Sequence, residues 1–261
     1  MKIVVLYKWA PDPQNASVNE NGEIDWGIKR TISEYDPVAM HATRILADSI
    51  DADVQVIGLT AGEASAASPK ATQAAASRGL DSLVVIADDT LKNATPDVYA
   101  QALAAGIAKI GDVDLIIAGD ASADIGGQVV PGLLAGHLGV PSFVDVSKIE
   151  SSPVGLQIQR QTAHAHQALL LKGPAVVALT TDAAPIPLIG MKDMMAARKK
   201  PVEKLTLADL GISAEISAAA AKTQQVSTAK PEVKQRKQII FDSDQAAAEL
   251  VAALRAEGVL A

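Results

Sequence analysis

Four short apolar runs, each followed by a segment with helical spacing, decide most of what this chain can become. Residues 2–7 (K-I-V-V-L-Y), 53–60 (D-V-Q-V-I-G-L-T), 82–87 (S-L-V-V-I-A) and 115–119 (L-I-I-A-G) are rich in Val, Ile and Leu with little polar alternation. That is the pattern of strands covered on both faces. The intervening helices carry recognisable punctuation. One runs from Val38 to about Ser49 behind Tyr35-Asp36-Pro37, one from Ser68-Pro69 to Ser77 before Arg78-Gly79, and one from Thr95-Pro96 to about Ile110. Alternation of this kind predicts a parallel sheet with right-handed crossovers and helices on both faces.

The stretch after the fourth strand has the strongest chemical content. Asp120-Ala121-Ser122-Ala123-Asp124-Ile125-Gly126-Gly127-Gln128 is a small-residue loop, and a helix is expected to start near Gly127. Val129, Val130, Leu133, Leu134 and Leu138 recur at helical spacing, and Gly139-Val140-Pro141 supplies a stop. Strand, loop and helix then bring backbone N–H groups and the positive end of a helix dipole to the carboxyl edge of the sheet, which is an anion cradle. The competing reading is a tight turn with no ligand. The glycine spacing fits neither the G-x-G-x-x-G fingerprint nor a P-loop, which would need a Lys here, so phosphate hydrolysis is not implied.

The net charge of −7 argues against a sequence-independent nucleic-acid surface, and Arg198-Lys199-Lys200 is too short a basic cluster to change that. Without cysteine the chain has no thiolate nucleophile, disulfide or cysteine-held cluster of its own, so redox chemistry has to come from a bound cofactor. No apolar run reaches the roughly 20 residues of a membrane span, and a cytoplasmic protein without membrane insertion is expected. Aromatics are only 3% of a chain that is 49% hydrophobic, so the core is expected to be Ala, Val, Leu and Ile.

Lys8 lies in the loop after the first strand and reads either as a phosphate partner or as a solvated lysine. Residues 19–23 have the composition of an exposed turn, inside a hairpin-like excursion ending near Trp26. Asp36 reads as a helix cap whose position also lets it, or the N–H groups behind it, face a ligand. Ala61-Gly62 opens the loop after the second strand.

From Ser142 the pattern changes to strands at 144–149, 156–161, 168–171 and 174–179. His164 and His166 alternate with alanines on one strand face, and with no further partner nearby they are expected to be solvated rather than metal ligands. Residues 191–200 resemble a short helix with exposed methionines. Residues 202–238 contain one helix-like piece, Leu207-Ala208-Asp209-Leu210-Gly211, and a polar Ala/Ser/Lys/Gln-rich tract without an adequate apolar face, which reads as a linker or as an arm that orders only on a partner. Asp242-Ser243-Asp244 is expected to cap a last amphipathic helix, from Gln245 to Glu257.

In their order and spacing these pieces resemble the β subunit of electron transfer flavoprotein. The residues carrying the resemblance are Val5-Leu6-Tyr7-Lys8, Tyr35-Asp36-Pro37, Leu59-Thr60-Ala61-Gly62, the loop from Gly119 to Pro131, Gly173-Pro174-Ala175-Val176-Val177, Met195-Ala196-Ala197-Arg198-Lys199-Lys200-Pro201 and Leu207-Ala208-Asp209-Leu210-Gly211. The resemblance implies an α/β parallel-sheet nucleotide-binding domain of the adenine nucleotide α-hydrolase-like kind over 1–200, with a C-terminal arm and terminal helix over 201–261 that contact a partner subunit.

It further implies an electron carrier rather than an enzyme. The chain would pair with an α subunit that holds most of the FAD, and would keep AMP, or a second FAD, for itself. Leu6, Lys8, Asp36, Pro37, Val38, Ala39, Ala61 and Gly62 are the ligand positions so implied, with Asp120, Ala121, Ser122, Ala123, Asp124, Ile125, Gly126, Gly127, Gln128, Val129, Val130 and Pro131 as the phosphate loop. A donor dehydrogenase would dock on an apolar anchor at Met191, or at Leu188 if the loop is offset; the alternative is that Leu188, Met191, Met194 and Met195 pack on the chain's own core.

Two departures stand out. The Ile125 to Val130 segment lacks the hydroxyls the family often has beside its Gly-Gln step, and 161–167 replaces an acidic, glycine-rich stretch. The competing class is a stand-alone adenine-nucleotide-binding stress sensor. A nicotinamide dehydrogenase is disfavoured by the missing fingerprint and the lack of a placed general base.

Overall fold

In the computed structural model, which describes residues 1–92, 94–213, 226–233 and 238–260, the four apolar runs form the middle of one large sheet. They are β1 (Lys2–Leu6), β6 (Gln55–Gly62), β7 (Ser82–Ala87) and β8 (Leu115–Gly119). The intervening helices are α1 (Asp36–Ser49), α2 (Pro69–Ala76) and α3 (Pro96–Ile110), and α4 (Val130–Leu138) follows β8.

Beyond α4 come β9 (Ser142–Ser152), β10 (Gly155–Gln161), β11 (His166–Leu171) and β12 (Val176–Leu179), then α5 (Met191–Ala197) and β13 (Val202–Leu205). The order across the sheet is β11-β10-β9-β12-β8-β1-β6-β7-β13. Every neighbouring pair from β9 to β13 is parallel, and β10 and β11 extend the sheet antiparallel beyond β9.

Alternate strand residues serve two cores. Ile3 and Val5 of β1, and Tyr7 just past its end, pack with Ala39, Met40 and Leu46 of α1 and with Ala75 and Ala76 of α2. Val4 and Leu6 pack with Val98, Leu103 and Ile107 of α3 and with Leu134 and Ala135 of α4. Small alanines at these helix positions allow close approach to a sheet of β-branched residues, and the strands, covered on both sides, need no polar alternation.

The excursion between β1 and α1 is a pair of small antiparallel ladders: β2 (Trp9–Pro11) with β5 (Arg30–Ile32), and β3 (Ser17–Val18) with β4 (Ile24–Asp25). It therefore closes at Ile32, later than the Trp26 expected from composition.

The start of the arm is also different from the expectation. The helix-like piece at 207–211 is a 3-10 turn at Ala208–Leu210, and residues 202–212 as a whole are part of the domain, not linker: β13 pairs in parallel with β7, and Leu205, Leu207 and Ile212 are buried. β7 would otherwise be an open edge, and a short strand carrying Glu203 and Lys204 satisfies its ladder while keeping a charged outer rim. Of the rest of the arm, residues 214–225 and 234–237 lie outside the described residues, while the Ala229 backbone passes directly over Gly22 of the β3–β4 turn.

The terminal helix α6 (Ala246–Ala256) forms as expected but buries no residue on this chain. Its start is organised by Ser243, whose Oγ accepts the Gln245 N–H at 3.1 Å and donates to Glu249 at 2.8 Å. No side chain makes a cap bond at Gln245 itself.

Candidate functional site

β1 and β8 lie side by side, yet the chain leaves β1 towards β6 and returns through α3 to β8 on the opposite side. Loops that diverge from neighbouring strands in this way leave a crevice at the carboxyl edge, the usual ligand position in open α/β sheets. Lys8 follows β1 at this edge, Asp120 follows β8, and the first turn of α1 closes the side.

Asp36 fixes that turn in place. It is buried, and its Oδ2 accepts the Lys8 N–H at 2.7 Å. The Asp36 N–H donates to the Ser33 carbonyl at 3.0 Å, and the Ser33 N–H to the Lys8 carbonyl at 3.0 Å, so the 33–36 turn is bound to the strand end at several points.

Asp36 is therefore not the cap its sequence suggests. The N-cap is Tyr35 without a side-chain bond, and the carboxyl faces back to β1, not along α1. Burial raises its pKa to about 8, opposed by the Lys8 N–H and charge and reinforced by Asp124. The neutral carboxyl is thereby favoured over the carboxylate. Pro37 occupies the first turn as expected, and the Val38 N–H is one of the amides an α-helix leaves without an intrahelical acceptor.

Close packing against β8 depends on Gly119. A Cβ there would lie 2.9 Å from Tyr35 Cβ and 3.0 Å from Asp36 Oδ1.

The 120–129 loop is tied down from both sides. The Asp120 N–H donates to the Leu179 carbonyl at 3.1 Å, the Gly126 N–H to the Ser122 carbonyl at 2.9 Å, and the Ala123 N–H to the buried Ser33 Oγ at 3.1 Å. Lys8 Nζ contacts both Asp124 carboxylate oxygens, at 2.6 and 2.9 Å, so it is neither a solvated lysine nor a cation standing free for a ligand. Burial pushes Asp124 up, but the Lys8 ammonium, Ser122 and the Ile125 N–H outweigh it and hold the carboxyl below its ordinary range.

Gly126 and Gln128 take positive φ values of 61° and 55°, and this delays α4 to Val130 instead of the Gly127 start expected from spacing. The Gly127, Gln128 and Val129 N–H groups donate to no acceptor among the described residues.

The other expected ligand positions share this edge at different depths. Leu6 and Ala61 are buried on the α3 and α4 side, and Pro37, Val38 and Ala39 are buried in the α1 turn. Gly62 ends β6 and accepts the Asp88 N–H at 2.9 Å. Ala121 and Ser122 are half-buried, and Ile125 to Val129 form an exposed rim ahead of the half-buried Val130 and the buried Pro131.

Sequence reasoning missed Ser33 and the Arg30–Glu63 ion pair at 2.9 Å. It also missed Tyr99, whose hydroxyl is pushed up to about 12 by burial and by the charges of Glu63 and Asp124. Nothing in their sequence spacing marks these groups, because the excursion strand β5 carries Arg30 to the sheet edge.

Beside the crevice, burial and the neighbouring Asp145 and Asp182 raise the Asp120 carboxyl, whose Oδ1 is inaccessible and unpartnered. The same Asp145 and Asp182, with Ser147, Thr180 and residues 161–163 of the departing segment, line an opening of about 440 Å³. His164 lies in the bend before β11, not on a strand, and His166 opens β11; both are exposed. Among the described residues no group of three or more His, Cys, Asp or Glu is arranged to hold a metal, and no helix is long and apolar enough to cross a membrane.

The expected docking residues lie outside the crevice, in the segment between β12 and α5 and at the start of α5. Leu188 is 99% exposed and Met191 77%, with Ile186, Met194 and Met195 exposed beside them. Pro37, next to Asp36, lines a small cavity of about 170 Å³ together with Leu188 and its neighbours.

A model of the electron transfer flavoprotein domain matches residues 24–210 of the chain. The matched span contains the α1 turn, the 120–131 loop and the exposed 186–195 segment.

The raised Asp36 carboxyl gives a pH signature. Its folded pKa of about 8 exceeds the unfolded value near 4, so its contribution is complete below about pH 4 and is lost progressively up to about pH 8. Asp36→Asn keeps an acceptor for the Lys8 N–H and removes the titration. Melting temperatures at several pH values should show a decline from acid to pH 8 in the wild-type chain and a flatter profile in the variant, with the variant gaining relative stability at pH 9. Parallel profiles would show that Asp36 is already ionised at neutral pH.

Proposed function

Because the chain belongs to the electron transfer flavoprotein family, we propose that it is the β subunit of a heterodimeric electron carrier. Family members form heterodimers, bind FAD and AMP, and are generally electron carriers rather than enzymes. The observation that carries the assignment is the convergence at one sheet edge of Lys8, the Asp36 turn, Ala61-Gly62 and the 120–131 loop, which are far apart in sequence.

The nucleotide in this crevice is AMP rather than a second FAD. Its phosphate is held by the free amides of Gly127, Gln128 and Val129 and by the positive ends of α1 and α4, a donor set suited to one compact anion. Leu6, Val38, Ala39 and Ala61 form apolar wall, and Gly119 keeps the helix turn close. The absence of hydroxyls from Ile125 to Val130 favours the smaller ligand.

FAD, held mostly by the α subunit, supplies the one- and two-electron chemistry when bound. This chain's part is to hold the structural nucleotide and to present docking surfaces. Residues after Ile212, including α6 with its unburied apolar positions Leu250 and Val251, form the arm that contacts the α subunit. Met191, with Leu188 beside it, is the anchor for the donor dehydrogenase, since a flexible thioether adapts to pockets of different shape.

Purification from its native host should give a yellow complex with a second polypeptide, and heat should release AMP and FAD in equal amounts, read by mass. A colourless, self-sufficient homodimer would contradict the assignment and point to a nucleotide sensor. Two FAD per complex without AMP would retain the carrier and reject AMP.

Met191→Ala should slow reduction of the complex by its dehydrogenase at least about tenfold, the scale of an interfacial anchor, with flavin content and melting temperature unchanged. A wild-type rate, or a marked loss of thermal stability, would remove Met191 from that role.

A further inference from the structure

The Asp124 carboxylate is collected by the kind of donors a phosphate oxygen requires. Lys8 Nζ lies 2.6 and 2.9 Å from its two oxygens, and Ser122 and the Ile125 N–H also help to hold the carboxyl below its ordinary range. The Asp124 side chain is 8% exposed and that of Lys8 31%, so the acid sits inside and the ammonium covers it from the solvent side. Such a pair is not a surface ion pair of negligible consequence, because the inner partner is largely desolvated.

Asp124 belongs to the loop whose neighbouring amides, from Gly127 to Val129, have no acceptor among the described residues, so the loop's charged donor is occupied while its neutral donors stand free. Asp36, the other carboxyl on Lys8, engages the Lys8 backbone N–H and not its ammonium. Lys8 thus has one anionic side-chain partner among the described residues, and it is supplied by the ligand loop itself.

Resting on the nucleotide reading above, we infer that Asp124 is an internal placeholder for the ligand's phosphate: it holds Lys8 at the phosphate position, and a monophosphate binds by taking the ammonium from it. No bond is made or broken in this exchange; one anion replaces another on Lys8, and the Asp124 carboxylate turns to solvent with its half of the loop. Asp124 therefore sets how strongly the site weighs the phosphate against the nucleoside. A dianionic phosphate competes for the ammonium better than a carboxylate, while an uncharged nucleoside gains nothing from Lys8.

The test is equilibrium dialysis of the full chain, in complex with the subunit that purifies with it, against labelled AMP and labelled adenosine after exhaustive removal of bound nucleotide. Asp124→Asn removes the competing charge at nearly constant volume, and Asp124→Ser is the second variant in case asparagine disturbs the loop. Both should tighten AMP at least about tenfold and leave adenosine unchanged, and adding Lys8→Met should cancel the gain.

Equal tightening of AMP and adenosine would mean the substitution only reshapes the pocket and would overturn the placeholder role. Unchanged or weaker AMP binding in both variants would overturn it as well, with AMP binding to the wild-type complex still supporting the nucleotide site. Absence of AMP binding in the wild type and in every variant would instead overturn the nucleotide reading, and the placeholder with it.

Discussion

The hydrogen bond from the Lys8 N–H to the buried Asp36 carboxyl is the contact on which the site depends. It holds the first turn of α1 over the ends of β1 and β8, a position that exists only because Gly119 has no side chain to meet Tyr35 and Asp36. A hydrogen bond of this kind contributes about 1 kcal/mol net, but leaving its buried donor unsatisfied costs about 1–3 kcal/mol, so geometry is enforced more strongly than stability is gained. Ser33 extends the same lock to the next loop, through the Ala123 N–H.

One consequence is that the proposed nucleotide crevice and the proposed docking loop meet at a single turn. Asp36 faces the crevice, while its neighbour Pro37 lines the small cavity bordered by Leu188 and its loop. A nucleotide that binds only the folded crevice stabilises that turn by mass action, and so also steadies the surface beside which a donor would dock. The exposed apolar rim at Ile125 and Val129 and the unburied α6 are further surfaces that this chain leaves uncovered.

Much of the fold was legible in the chain. β1, β6, β7 and β8 announce themselves because strands buried on both faces must be continuous apolar runs, and the Pro-marked starts of α1, α2 and α3 stand where the sequence puts them. The function of individual polar residues was less legible. Asp36-Pro37 has the same letters whether the acid caps its own helix or turns back to β1, and burial, which decides between them, is a tertiary property. The Lys8–Asp124 pair joins residues 116 positions apart, so no local pattern reveals it. β13 was hidden for another reason: an edge strand needs charge on its rim, and Val202-Glu203-Lys204-Leu205 consequently reads as a linker. The late start of α4 follows from positive φ at Gly126 and at Gln128, and glutamine gives no warning of that conformation.

Whether the β1–β8 crevice holds a phosphate monoester is tested most directly by phosphorus-31 NMR of the native complex. A free phosphate monoester titrates with a pKa of about 6, whereas one enclosed by Lys8, the loop amides and two helix ends should not. One monoester resonance is expected, separate from the pyrophosphate pair of FAD, whose shift stays constant while free AMP added to the sample moves with pH. A spectrum with pyrophosphate resonances alone, or a monoester resonance that titrates as in water, would contradict a phosphate held in this crevice.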